Sequence, residues 1–145
     1  MTRSEEETEE FGRRVAGGLR PSDVVYLVGD LGAGKTCLAR GLAEGLGASR
    51  REVASPSFAI LHEYAGSSPA DRRSTIRMRH LDLYRLPDSP AELEVLGLPD
   101  SVVGAPVVVE WPGQAVTRAL PPTMEIRIVV VSDGARRIVS RRVGA

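Results

Sequence analysis

The chain has 145 residues, 42% of them hydrophobic, and its 15 glycines and 10 prolines stay below the ~25–30% that marks a low-complexity chain. That is the size and composition of one folded domain spanning 1–145. Nineteen basic residues balance nineteen acidic ones, which excludes a global field drawing the protein to nucleic acid or anionic lipid; any such contact has to be local.

The first ten residues are acidic where a secretory signal is basic and then apolar. No later stretch approaches the ~18 apolar residues of a membrane span, so a cytoplasmic protein without membrane contact is expected. The one cysteine, Cys37, excludes an internal disulfide and a thiolate metal cluster and agrees with a reducing compartment. Ser4 followed by Glu7 is a capping-box pattern, and Phe11, Val15 and Leu19 recur at helical spacing, which predicts an amphipathic helix over ~4–19. Val24–Val28 is an apolar run of strand formers ending at a glycine, the mark of a strand buried on both faces. From Lys35 a helix is expected with Leu38, Ala39, Leu42, Ala43 and Leu46 on one face and Gly47 as its C-cap. Ala59–Tyr64 and Ile76–Tyr84 read as strands around a polar loop, Gly66–Ser74, and Ala91–Leu96 reads as a short helix after Pro90. Pro106–Trp111 is another buried-type strand, and Met124–Val131 with Arg137–Val143 flank Asp133-Gly134 as a terminal hairpin.

Gly29-Asp30-Leu31-Gly32-Ala33-Gly34-Lys35-Thr36 fits G-x-x-x-x-G-K-[ST] and lies between a predicted strand and a predicted helix, the context this phosphate-binding motif requires. Glycines let the backbone wrap a phosphate, with N–H groups and the helix N-terminus facing the anion. Lys35 supplies a compact charge to the β- and γ-phosphates, and the Thr36 hydroxyl is placed for Mg²⁺. Eighteen of the basic residues are arginines, so the single lysine, Lys35, marks a place where arginine does not serve. The fold class is therefore α/β, a P-loop NTPase-like three-layer sandwich. Its mixed sheet is expected to be parallel at the centre, antiparallel toward an edge, and closed by the C-terminal hairpin. With no asparagine and no second lysine, the N-K-x-D motif that reads guanine in GTPases is absent, leaving ATP/ADP as the expected nucleotide. A Mg²⁺-nucleotide site needs a carboxylate at the C-terminal end of a neighbouring strand. Glu110, closing Val107–Val109, and Asp82, in His80-Leu81-Asp82-Leu83-Tyr84-Arg85, both fit. The pattern leaves metal ligation and water positioning undivided between them. Cys37 falls in the first turn of a helix, where a thiol can be acidified, although packing is its plainer role.

These residues resemble the TsaE (YjeE) family, ATPases that take part in making threonylcarbamoyladenosine on tRNA. The resemblance runs in order through Gly29–Thr36, Ser55-Pro56-Ser57-Phe58, His80-Leu81-Asp82-Leu83-Tyr84-Arg85-Leu86 and Glu110-Trp111-Pro112, and so covers nearly the whole chain. It implies an ATP-binding subunit, weakly active alone, that engages the TsaB–TsaD heterodimer and meets tRNA through that complex. In those terms Lys35 and Thr36 hold phosphate and Mg²⁺, Asp82 and Glu110 serve the metal and the attacking water, and Trp111 lies beside the nucleotide. Ser55–Phe58 would form a switch-like loop with Ser57 near the γ-phosphate. Where the family usually has threonine this chain has Ser57 and Cys37.

Composition alone makes Trp111 a core or interface residue and His80 a hydrogen-bonded strand residue. The candidates for the base and ribose side are the first turn of the opening helix, with Glu5 and Thr8, and the Asp133-Gly134 turn. Arg72, Arg73, Arg77 and Arg79 form either a surface for tRNA or an acidic partner, or a solvated loop. Arg85 would stabilise transition-state charge in cis unless a partner supplies the cation. Two competing functions share the motif: a small-molecule kinase with an arginine-rich lid, and a nucleotide-dependent binding module without useful hydrolysis.

Overall fold

A computed structural model of the chain describes residues 1–30, 32–48, 53–54, 61–66, 75–84, 86–95, 97–98 and 104–143. Leu31, the Ser55–Phe58 block with Ser57, Arg72, Arg73, Arg85 and most of the expected polar loop lie outside them. In chain order the elements are α1 (Glu5–Ala16), β1 (Val24–Val28), α2 (Lys35–Gly45), β2 (Val53–Ala54), β3 (Leu61–Gly66), β4 (Thr75–Asp82), α3 (Pro90–Val95), β5 (Val107–Glu110), α4 (Gln114–Ala119), β6 (Met124–Ser132) and β7 (Ala135–Arg142).

The seven strands form one sheet in the order β2-β3-β4-β5-β1-β6-β7. β4, β5, β1 and β6 are mutually parallel. The antiparallel pairing expected toward one edge is present at both, since β2 and β3 continue it beyond β4 and β7 beyond β6. Alternation along β1 divides the core into two faces. Val25 and Leu27 pack with Leu38, Leu42 and Ile126 under α1 and α2, while Val24 and Tyr26 pack with Leu93, Val116 and Leu120 under α3 and α4. Two helical layers thus enclose the central strands, and each fully buried Leu, Val or Ile contributes ~1.5–3 kcal/mol. Among the described residues no helix is long and apolar enough to cross a membrane.

The local signals explain most boundaries. Ser4 is extended and its hydroxyl accepts from the Glu7 N–H at 3.1 Å, while the Glu7 carboxylate reaches one residue further back than a standard box, to the Arg3 N–H at 2.6 Å. α1 stops at Ala16 rather than Leu19. The N–H groups of Gly17, Gly18 and Leu19 bond the carbonyls three residues earlier, so the chain tightens where two glycines weaken the α-helix. Leu19 still packs on the α1/α2 side of the core, so its spacing reported burial, not helix. α2 ends in a Schellman motif: Gly47 has φ +94°, and Ala48 N–H reaches the Ala43 carbonyl at 3.0 Å.

Two elements were not expected. β2 is two residues long and carries no local signal. α4 is capped from far away in sequence, the Asp88 carboxylate accepting from the N–H groups of Gln114 at 2.9 Å and Ala115 at 2.8 Å. Those donors hold the Asp88 carboxyl below the ordinary carboxylate range.

Candidate functional site

The turn between β1 and α2 brings Gly29, Asp30, Gly32, Ala33, Gly34, Lys35 and Thr36 to the C-terminal edge of the sheet. Gly32 has φ +80° and Gly34 φ +109°, conformations that side-chain-bearing residues rarely adopt; they turn the backbone so that α2 starts directly at Lys35. Asp30 and Thr36 are exposed, and the Thr36 hydroxyl stands in the helix's first turn. Lys35 is only 5% exposed. Its Nζ donates to the Gly29 carbonyl at 2.7 Å and lies 3.5 Å from the centroid of the Trp111 ring. Burial pulls its pKa below the ordinary lysine value, and the Glu110, Asp82 and Asp30 carboxylates partly oppose that pull. Among the described residues no carboxylate lies within ion-pair distance of it.

Asp82 and Glu110 are directly opposite one another across the parallel β4–β5 pair, and Glu110 pairs on its other side with Leu27 of β1. Both carboxylates share a sheet face with Met78 and Val108, the face covered by α2. Glu110 is buried and its Oε2 is 2.5 Å from Nε2 of buried His80. Asp82 is half-buried, and its Oδ1 accepts the Tyr84 N–H at 3.1 Å. His80 is therefore the hydrogen-bonded strand residue expected of it, and its partner is a candidate site carboxylate.

Trp111 follows Glu110 with φ +57°, the only described non-glycine residue in left-handed backbone, a conformation that a bulky side chain holds only where its surroundings impose it. Its ring meets Tyr84 at 5.0 Å between centroids and covers the Lys35 ammonium. Of the two placements that composition suggested, core or interface, the core one is corrected: Trp111 is half-buried beside the glycine loop.

A cavity of about 240 Å³ opens on the other flank of that loop, between the start of α1 and the β6–β7 turn. Glu5, Thr8 and Gly134 line it with Gly32 and Gly34, so three segments far apart in sequence meet there. Thr8 is buried with its hydroxyl 2.9 Å from that of Thr2. Asp133 is exposed and is not among the lining residues. Beside the turn, β7 contributes Arg136 instead, whose Nε donates to the Ala33 carbonyl at 2.9 Å. Sequence reasoning missed Arg136 because nothing local shows which side of a hairpin will face a loop a hundred residues earlier. Cys37 also lines the cavity, and its thiol is not acidified: burial pushes it up, reinforced by Glu5 and Glu9 and opposed by Arg40 and Arg136. Of the expected basic stretch, Arg79 is tied into the sheet by a 3.0 Å ion pair with Glu63.

The family model for the threonylcarbamoyl adenosine biosynthesis protein TsaE matches residues 2–139. Relatives named tRNA threonylcarbamoyladenosine biosynthesis protein TsaE include that of Streptomyces coelicolor, 42% identical over 82% of this chain and 76% of the relative. That of Bacillus subtilis is 38% identical over 96% and 82%, and that of Treponema pallidum 38% identical over 95% and 96%. The crystal structure of Bacillus subtilis YdiB superposes with a TM-score of 0.59 at 30% identity, covering 94% of this chain and 78% of that one. The P-loop NTPase-like α/β architecture is shared with it.

Proposed function

The chain belongs to the TsaE family, and from that membership we propose that it is a cytoplasmic ATPase of threonylcarbamoyladenosine modification, binding Mg²⁺-ATP and acting on the TsaB–TsaD heterodimer, through which it meets tRNA. The observation that carries the nucleotide reading is Lys35. Among the described residues the buried ammonium is held by a carbonyl and an aromatic face, at the mouth of a loop of left-handed glycines, and such a cation is placed for an anionic ligand. On this reading the loop's N–H groups and the α2 N-terminus take the α- and β-phosphates, and Lys35 takes the β- and γ-phosphates. The base and ribose side occupies the cavity lined by Glu5, Thr8, Gly134 and Arg136. Ser57 near the γ-phosphate rests on the resemblance alone, and Leu31 in the loop on the sequence motif.

The donors fit magnesium, a hard cation that takes oxygen ligands and keeps water and phosphate oxygens in its shell. The Thr36 hydroxyl, Asp82 and Glu110 present oxygen, and among the described residues no cluster of three His, Cys, Asp or Glu side chains competes to hold a softer metal. When bound, magnesium neutralises charge on the transferring phosphate. Glu110, with Oε2 engaged by His80, offers its second oxygen to metal or water. Asp82 and Glu110 thus share the work of ligating the cation and holding the attacking water in line.

Phosphoryl transfer depends on positioning and charge neutralisation, and a missing cationic finger costs ~10³–10⁵ in rate. Hydrolysis by the chain alone is expected to be slow and to rise when TsaB–TsaD is added under saturating Mg²⁺-ATP. Glu110→Ala and Asp82→Ala should each lower the stimulated rate more than ADP affinity. Equal turnover with and without the heterodimer overturns the partner-activated reading, and rapid transfer of phosphate to an added metabolite puts a kinase in its place.

A further inference from the structure

β6 and β7 leave one face of the sheet bare. Their even-numbered residues, Ile126, Ile128 and Ile138, turn toward the core, and the odd-numbered ones point to the side of α3 and α4. No hairpin side chain belongs to the apolar cluster under those two helices. Val129 is 46% and Val139 54% exposed on this outer face. Register pairs them crosswise with basic residues, Val129 with Arg137 and Val139 with Arg127, while Arg141 lies opposite Glu125. Arg127 and Arg141 share Glu125, at 3.0 and 4.0 Å. Arg137 has no acidic neighbour within ion-pair distance among the described residues. The face also runs into a groove of about 340 Å³ whose lining includes Val129, Arg127, Asp30, Gly29 and Trp111.

We propose that this outer face of the β6–β7 hairpin, two exposed valines ringed by Arg127, Arg137 and Arg141, is the docking surface for an acidic protein partner. An apolar centre with an arginine rim is the anatomy of a protein–protein interface. Net positive charge selects a partner that brings carboxylates. A second copy of this chain would set the same arginines against each other. RNA would find no aromatic ring for base stacking among the residues of β6 and β7 and would meet the Glu125 carboxylate. The groove gives docking a route to the phosphate loop, because a partner side chain entering it meets Trp111, on whose ring Lys35 rests.

The inference rests on the proposed partnership with TsaB–TsaD, and the experiment separates the two. The full chain, its R137E/R141E variant and its V129T/V139T variant are titrated into the purified heterodimer, with the Mg²⁺-ADP thermal shift of each as the check on fold and phosphate site. Threonine keeps the β-branched shape while removing apolar area. The expected result is that the unmutated chain binds and both variants bind at least about tenfold more weakly, with ADP shifts unchanged. Unaltered binding by both variants overturns the surface and leaves the partnership standing. Failure of the unmutated chain to bind overturns the partnership and this surface with it. Binding to tRNA alone that R137E/R141E abolishes and V129T/V139T does not, or a dimer of the chain that V129T/V139T dissolves, assigns the face to another occupant and also overturns the proposal.

Discussion

Glu110 and His80 are 4% and 6% exposed and share one short hydrogen bond, so neither can lose the other without leaving a buried polar atom unmatched. His80→Ala is expected to destabilise the fold by ~1–3 kcal/mol and to lower stimulated turnover more than ADP affinity, because Glu110 is freed to turn. His80→Gln, whose amide can donate from nearly the same position, should recover most of the turnover. If glutamine recovers stability without turnover, His80 supports packing and does not position the carboxylate. Lys35 gives a second test at this scale. Its folded pKa lies below the ordinary 10.5, so the charged form is penalised on folding. That penalty is full below the folded pKa, shrinks as pH rises through it, and vanishes above the unfolded value. The melting-temperature difference between Lys35→Met and the unmutated chain should therefore move against methionine as pH rises through the folded pKa toward 10.5. A difference independent of pH would mean that the ammonium is not desolvated.

At the scale of elements, α1 and α2 touch through glycine. A Cβ at Gly41 would fall inside the Glu9 carbonyl, and one at Gly45 would stand 2.6 Å from Ala16 Cβ. Gly41→Ala must push the helices apart, at a cost of ~1–3 kcal/mol or more, and α1 carries Glu5 and Thr8 on the cavity wall. Urea denaturation should show the loss of stability, and calorimetry should show weaker ADP binding than in a variant of equal instability whose substitution lies under α3. Equal ADP affinity in the two would separate α1 from the nucleotide. The Asp88 cap works between elements in the same way, fastening the loop after β4 to the start of α4 and so bracing the turn that holds Trp111.

For the whole molecule, a ligand that binds only the folded chain adds RT ln(1 + [L]/Kd), ~2.7 kcal/mol at a hundredfold excess. Mg²⁺-ADP should raise the melting temperature, and Lys35→Ala should remove most of that rise. Trp111, the one tryptophan, should change its fluorescence as the nucleotide draws Lys35 off its ring. No thermal shift at millimolar nucleotide would count against the loop as a phosphate site. A shift with constant fluorescence would mean that Lys35 stays on Trp111.

The sequence by itself determined the elements whose reasons are local. Apolar runs placed β1 and β5, capping residues placed α1 and the end of α2, the Asp-Gly turn placed the hairpin, and eight consecutive residues spelled out the glycine-rich loop before α2. It also singled out Asp82 and Glu110, because strand ends in an α/β pattern point to one edge of the sheet. What it left to the tertiary structure depends on long-range contact. Parallel pairing set Asp82 opposite Glu110 and buried His80 against that glutamate. The hairpin carried Arg136 to Ala33, a capping carboxylate arrived from another loop to make α4, and Trp111 took a backbone conformation that no pattern announces. Periodicity and capping act over a few residues and can be read along the chain, whereas burial, pairing and partnership at the site are decided by which distant segments the closed core brings together.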